Sequence, residues 1–122
     1  MNHYLFDCKC YDKECSFLSN ERYIFYNLKR MASMHKLSPV SEPILRPNYE
    51  CDIDDMGISA ILFLEDGGHI VFHSFVRKHR YCVDILTYKD ELEKAKAYLN
   101  KFMPYEDIKT YHNVVLKKEN RL

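Results

Sequence analysis

The middle of the chain alternates apolar and polar residues with the two-residue period of a β-strand. Residues 57–65 and 69–76 are two such runs, and Asp66, Gly67 and Gly68 between them favour a tight hairpin turn. A third run follows a basic loop of sequence RKHR and covers residues 81–88. The pattern therefore predicts three neighbouring strands.

Two other segments repeat their apolar residues with a helical period. The first helix is predicted from Ser19, a typical N-terminal cap, to about His35. The second covers residues 89–102 and ends before Pro104. Its apolar face consists of Leu92, Ala95, Tyr98 and Leu99.

The remaining segments complete the predicted fold. Residues 3–10 and 107–117 alternate well enough to be the first and last strands. Residues 38–47 contain three prolines, so a strand there would be short, bulged or at a sheet edge, and residues 48–56 are predicted to be an acidic loop. The order β-α-β-β-β-β-α-β predicts one domain over residues 1–122. It is an α/β protein of the α+β type, a two-layer sandwich with two helices on one face of an antiparallel-rich sheet.

Composition narrows the classes of function. The chain has 18 basic and 18 acidic residues, so its bulk charge gives no reason to expect nucleic acid or an anionic membrane surface as a partner. No apolar run reaches the roughly 20 residues of a membrane span, and Asp7 and Lys9 interrupt the N-terminal segment. An odd number of cysteines without an export signal favours reduced thiols in a cytoplasmic protein.

Two groups of residues invite a metal-binding interpretation, and neither has suitable spacing. Cys8, Cys10 and Cys15 lack a second pair of ligands. His69 and His73 would be about 13 Å apart along a strand, which is too far for both rings to reach one metal ion. We therefore expect no metal site.

The side chains of the central strands divide by face, because a strand sends alternate residues to opposite sides. In residues 69–76 and 81–88, one set is apolar and suits contact with the helices. The other set includes His73, Asp84 and Tyr88, and we expect it on the open face of the sheet. In a two-layer protein that face must meet solvent, a partner subunit or a ligand.

These polar positions resemble the core of the bacterial and archaeal S-adenosylmethionine (SAM) decarboxylases. Gly68-His69-x3-His73 is similar to that family's Ser-His-x3-His segment, with glycine in place of serine. The spacing from His73 to Asp84, and from Asp84 to Tyr88, matches the family's His to Asp-x3-Cys register without a gap. The resemblance implies the decarboxylase fold and a pocket for a SAM-type ligand.

The resemblance extends over roughly residues 3–103, and two departures within it change the implied chemistry. Ser59 corresponds to the serine of the family's Gly-Val-Ser-Gly strand, with one extra residue in the turn that follows. The family makes a pyruvoyl cofactor by self-cleavage at its serine, whereas Gly68 has no side-chain oxygen, so we expect no pyruvoyl group. Tyr88 replaces the family's catalytic cysteine.

Three functions are compatible with such a site. The first is a lyase that cleaves SAM, or a conjugate such as adenylylated SAM (SAM-AMP), to a methylthioadenosine product and homoserine lactone. Small lyases of this kind are known in phages, and related ones act on the SAM-AMP messenger of some CRISPR antiviral defence systems. The second is a non-catalytic SAM-binding sensor or pseudoenzyme subunit of a decarboxylase. The third is an unrelated structural or toxin–antitoxin partner with the same fold.

The lyase hypothesis assigns a role to each polar candidate. Tyr88 and His73 would hold the substrate carboxylate, with His73 acting as a base if the reaction is an elimination. An acid at Glu65 or Asp66 would pair with the ammonium group, and Ser59 would fix the ribose or the amino group. The remaining substrate-binding candidates are Tyr49, Phe75 and Asp84, of which the aromatic pair would lie against the adenine or the sulfonium.

The predicted open face also indicates an oligomer. It combines Val71, Phe75 and Leu86 with the polar candidates, which is more apolar surface than a monomer usually exposes. The decarboxylases cover this face with a second subunit. We therefore expect a homo-oligomer with its ligand site at or near the subunit interface.

Overall fold

A computed structural model describes residues 1–90 and 92–115 of the chain. The elements follow the predicted order. The strands are β1 (Asn2–Lys9), β2 (Ile44–Asp52), β3 (Asp55–Phe63), β4 (His69–Phe75), β5 (Arg80–Thr87) and β6 (Asp107–Val114). The helices are α1 (Glu21–Met34) and α2 (Leu92–Phe102), and two short 3-10 turns, Asp12–Glu14 and Ser16–Ser19, precede α1.

The strands form one antiparallel sheet in the order β2-β3-β4-β5-β1-β6. Short turns connect the consecutive strands from β2 to β5, whereas β1 lies between β5 and β6. The chain therefore crosses the sheet through α1 to reach β2, and passes over β1 through α2 to reach β6. The α+β fold predicted from the sequence is confirmed.

The core lies between one face of the sheet and the two helices. Alternate strand residues such as Phe72 and Tyr81 are fully buried there, and Leu28 of α1 belongs to the same core. Ser74 is a polar residue on this face. Its Oγ donates to the Leu18 carbonyl oxygen at 2.6 Å and accepts from the Ile58 N–H at 2.8 Å, so its burial leaves no unmade hydrogen bond.

The predicted acidic loop over residues 48–56 is wrong, because these residues complete β2, turn, and begin β3. Asp54 takes a left-handed φ of 58°, which aspartate tolerates better than most residues, and this closes the hairpin. Glu50 is exposed on β2, so strand formation does not remove its charge from water. The prolines correctly indicated an edge strand with an irregular register, which shifts after Arg46.

Smaller differences concern the ends of elements. Asn20, not Ser19, caps α1: its side-chain oxygen accepts from the Tyr23 N–H at 3.0 Å. Residues 88 and 89 form a bend before α2, and neither residue 89 nor residue 90 is helical. Tyr88 lies one residue beyond the end of β5. Residues 116 and 117 of the predicted last strand lie outside the described residues.

Candidate functional site

A row of polar side chains crosses the open face of the sheet. Residues directly opposite each other on paired strands share a face, and the register places Ser59 opposite His73. Two predicted site residues are thus neighbours. From β2 to β6 the whole row consists of Arg46, Ser59, His73, Cys82, Asp7 and Lys109.

Tyr49 reaches this row because of a bulge in β2. Arg46 pairs with Ser59, but Tyr49 pairs with Gly57, so a step of three residues on β2 matches a step of two on β3. Residues three apart on a regular strand point to opposite faces. Here the Arg46 guanidinium carbon lies 5.7 Å from the centre of the Tyr49 ring, and that ring centre lies 6.5 Å from the centre of the His73 ring.

His73 is half-buried in the middle of the row. Burial lowers the pKa of His73 below its ordinary value of 6.5, and the negative charge of Asp84 opposes this shift. The imidazole is therefore neutral at pH 7 and can both donate and accept a hydrogen bond. Phe75 lies on the same face two residues further along β4, so this predicted ligand-binding residue is next to His73 on the open face.

Asp84 lies between two histidines on the same face. His3 Nε2 is 2.8 Å from Asp84 Oδ1, and His69 Nε2 is 3.1 Å from the same oxygen. Burial raises the pKa of Asp84, but the hydrogen bonds and charges of the His69 and His3 rings outweigh it, so the pKa is lowered. An ionised carboxylate only accepts, so both rings donate to it through Nε2.

Sequence reasoning did not single out His3 or Arg46 as site residues. His3 reaches Asp84 only because β1 inserts between β5 and β6, which brings the first residues of the chain beside a strand that is distant in sequence. Arg46 lies in the row because it pairs with Ser59, and the bulge that follows Arg46 brings Tyr49 to the same face. In the sequence, His3 stands out only as a histidine in an alternating segment, and Arg46 only as the residue before a proline.

Tyr88 and the hairpin acids lie at the other end of β4 and β5. The Asp66 carboxylate accepts from the Thr87 hydroxyl at 2.8 Å, the Gly68 N–H at 2.9 Å and the Tyr88 N–H at 3.1 Å. Burial raises the pKa of Asp66, but these hydrogen bonds outweigh it and lower the pKa. Asp66 thus holds the hairpin against β5, while Glu65 is exposed.

The register separates Tyr88 from His73 within one chain. His73 lies opposite Cys82, and Tyr88 is six residues beyond Cys82, which corresponds to about 20 Å along the strands. A carboxylate group is only a few ångströms wide. Within one chain, the two side chains therefore cannot hold the same substrate carboxylate.

Two clefts lie away from the open face. A cleft of about 560 Å³ between the β2–β3 hairpin and the start of α1 includes Glu21, Asp55 and Arg77 in its lining, and none of the predicted site residues. A cleft of about 300 Å³ includes Glu65 and Asp66. The acids and the Ser59–His73 row thus belong to different surfaces of one chain.

Gly68 permits a close approach of two strand backbones. A Cβ atom at position 68 would lie 1.8 Å from the Leu86 carbonyl oxygen, where a contact below 3.0 Å requires something to move. The atom in the way belongs to the backbone of β5, which is held in the sheet. A serine at this position would therefore displace β4 from β5.

Four cysteine side chains are described, and none of them forms a disulfide bond. Cys8, Cys10, Cys15 and Cys82 are free. Burial raises the pKa of Cys8 and of Cys10 to about 12 and that of Cys82 to about 11, so these groups are thiols at neutral pH. In residues 1–90 and 92–115 no group of three or more His, Cys, Asp or Glu side chains is arranged to hold a metal ion.

The fold is that of a known enzyme. The crystal structure of the adenosylmethionine decarboxylase from Aquifex aeolicus VF5 matches 99% of this chain and 96% of its own, with a TM-score of 0.75 and 17% sequence identity. No protein-family model and no curated protein sequence matches the chain. The chain thus has a SAM decarboxylase-like fold, which confirms the resemblance at the level of the fold. No helix among the described residues is long and apolar enough to cross a membrane.

Proposed function

We propose that the open face binds a SAM-type ligand and that the protein is a lyase that works without a pyruvoyl group. Its products would be homoserine lactone and methylthioadenosine, or the adenylylated form of methylthioadenosine if the substrate is SAM-AMP. In the second case the enzyme would remove the messenger of a CRISPR antiviral system. The third possibility, a structural partner with the same fold, does not explain the polar row across the open face.

The observation that carries this proposal is the combination of the shared fold with Gly68. The decarboxylase fold extends over the whole chain, yet the position that aligns with the family's pyruvoyl serine has no room for a Cβ atom. An enzyme with this fold and this glycine would need a reaction whose leaving group departs without a covalent cofactor. A sulfonium is such a leaving group.

The proposed reaction is an intramolecular displacement. A carboxylate oxygen of the ligand attacks Cγ, the C–S bond breaks, and its electron pair stays on sulfur, which leaves a neutral thioether and a lactone. The protein must hold the carboxylate in line with the C–S bond. Neutral His73 and the Ser59 hydroxyl suit this task, since they orient the nucleophile without the full positive charge that would stabilise it before reaction.

The Asp84 cluster and a second subunit complete the proposed site. Asp84 lies two residues from Cys82, the neighbour of His73 on β5, and its negative charge would attract the ligand's ammonium or sulfonium. Ile44, Phe63 and Tyr111 are 58%, 45% and 52% exposed on strands of this sheet. A second copy of the chain that covers the open face would bury such side chains and enclose the ligand.

A non-catalytic sensor or pseudoenzyme subunit is the second candidate. One observation favours it: a single chain does not bring His73, Tyr88 and Glu65 together. A sensor needs only the ligand contacts of the open face, whereas a lyase needs the carboxylate held in one geometry.

The decisive experiment incubates the purified protein with SAM and, separately, with SAM-AMP, and follows the products by chromatography and mass spectrometry. We expect homoserine lactone together with methylthioadenosine or its adenylylated form. A His73→Ala variant is the control for contaminating activity. Ligand binding in calorimetry without any product would establish the sensor instead, and no binding of either ligand at millimolar concentration would exclude both functions.

A further inference from the structure

An arginine lies beside an aromatic ring on the open face. Arg46 is exposed and forms no ion pair with any residue in the described part of the chain. Its guanidinium carbon is 5.7 Å from the centre of the Tyr49 ring. By contrast, Arg80 on the same face pairs with Asp7, with 3.3 Å between Nη2 and Oδ1. The positive charge of Arg46 is therefore available to a ligand.

The backbone of β2 creates this pair of side chains. In a regular strand Arg46 and Tyr49 would point to opposite faces, and only the bulge between them places both on the open face. Asn48 within the bulge has a φ of 54°, a left-handed conformation that asparagine tolerates better than most residues. Bulges that redirect side chains in this way are frequent next to active sites.

We infer that Arg46 and Tyr49 form a subsite for a nucleoside monophosphate, in which the Tyr49 ring stacks on the base and the Arg46 guanidinium binds the phosphate. Guanidinium groups bind phosphate oxygens through two parallel hydrogen bonds, and purine bases stack on tyrosine rings. Ser59 pairs with Arg46 on one side and with His73 on the other, so it lies between this subsite and His73. This inference rests on the proposed function and selects a SAM–nucleotide conjugate over SAM itself as the ligand.

The position of Arg46 distinguishes a phosphate from the other anion in such a ligand, the methionine carboxylate. In the proposed reaction the carboxylate is the nucleophile, and a paired guanidinium would stabilise it in the ground state and slow the attack. The phosphate takes no part in bond breaking, so its binding has no such cost. Arg46 lies on the edge strand two strands from His73, so the Cα atoms of these two residues are about 10 Å apart. The nucleotide would therefore lie at the sheet edge and the reacting sulfonium near His73.

The test is a set of calorimetric titrations of the full chain with AMP, adenosine, inorganic phosphate and methionine. We expect the wild-type protein to bind AMP at least about 10-fold more tightly than adenosine, the effect of one charge-assisted contact of about 1.4 kcal/mol. Arg46→Gln should remove this preference and leave adenosine binding unchanged. Tyr49→Ala should weaken AMP and adenosine alike, because both carry the base.

Lys109→Gln is the matched control, since it removes an exposed cation from the opposite end of the same polar row. We expect it to change neither affinity. Equal affinity of the wild-type protein for AMP and adenosine would overturn the subsite, and so would an AMP preference that survives in Arg46→Gln. Weaker methionine binding in Arg46→Gln with unchanged AMP binding would assign the arginine to the carboxylate and also overturn it.

The binding test of the subsite and the activity test of the lyase can fail independently of each other. Binding of AMP and adenosine requires no turnover, and a lyase without the subsite would still release methylthioadenosine from SAM. Equal melting temperatures of the wild-type, Arg46→Gln and Lys109→Gln proteins would establish that the substitutions act on binding, because both side chains are exposed.

Discussion

The two faces of the sheet are made from the same strands and meet opposite requirements. On the helix-covered face, β4 places Phe72 and Ser74, both fully buried, and the serine hydroxyl has two hydrogen-bond partners. On the open face the same strand places Val71 and His73, both half-exposed. The buried face supplies the stability, while the open face keeps charged and polar groups that a ligand can use.

The largest expected loss of stability comes from removing a large side chain from the buried face. Phe72→Ala should lower the free energy of unfolding by about 3–5 kcal/mol, because it leaves a cavity in the core. Phe75→Ala, the same change on the other face of β4, should cost only about 1 kcal/mol. Urea denaturation measures both. A Phe75→Ala loss that increases with protein concentration would show that a second copy of the chain covers the open face.

The next largest loss of stability is expected at Gly68, where two strand backbones approach closely. Gly68→Ser should lower the free energy of unfolding by about 3 kcal/mol, since the new Cβ atom would overlap the Leu86 carbonyl oxygen. Mass spectrometry should find the variant chain intact, without self-cleavage. The control is Gly67→Ala, whose φ of 88° predicts a loss of about 1 kcal/mol with no backbone overlap. A stable Gly68→Ser protein that cleaves itself would contradict the proposed loss of the pyruvoyl site.

The third prediction concerns a substitution that removes the central polar side chain of the open face. His73→Ala should lower turnover of the SAM-type substrate by about 100-fold, equivalent to about 2.7 kcal/mol of activation free energy, with little change in stability. Tyr88→Phe should lower turnover less, because Tyr88 lies at the far end of the strands. Cys8→Ser, buried on the other face, should leave turnover unchanged. Full activity of a His73→Ala, Tyr88→Phe double variant would place catalysis elsewhere.

The smallest effect is a dependence of stability on pH. Burial lowers the pKa of His73 in the folded protein below 6.5, so between the two pKa values the unfolded chain binds more protons. The free energy of unfolding should therefore decline as the pH falls below 6.5 and level off below the folded pKa. His73→Gln should flatten this part of the profile, as measured by urea denaturation at each pH. An unchanged slope would mean that His73 is not desolvated.

Much of the fold was predictable because its signals are local. The hairpin at Asp66–Gly68, the two helical periods and the alternation of His73 with its buried neighbours each depend on residues close in sequence. Residues 48–56 were predicted wrongly because strand formation at a sheet edge depends on the neighbouring strand and not on the charge of the segment. Local propensity alone could not show that β3 lies beside it.

The sequence by itself determined the order of the elements, the face on which His73 and Asp84 lie, and the absence of a serine hydroxyl at position 68. Only the tertiary structure decided which of these groups meet. Strand order brought His3 to Asp84, the bulge turned Arg46 and Tyr49 to one side, and the register separated Tyr88 from His73. The reason is that pairing between distant strands is set by packing of the whole sheet, where a shift of one residue reverses the face of every side chain.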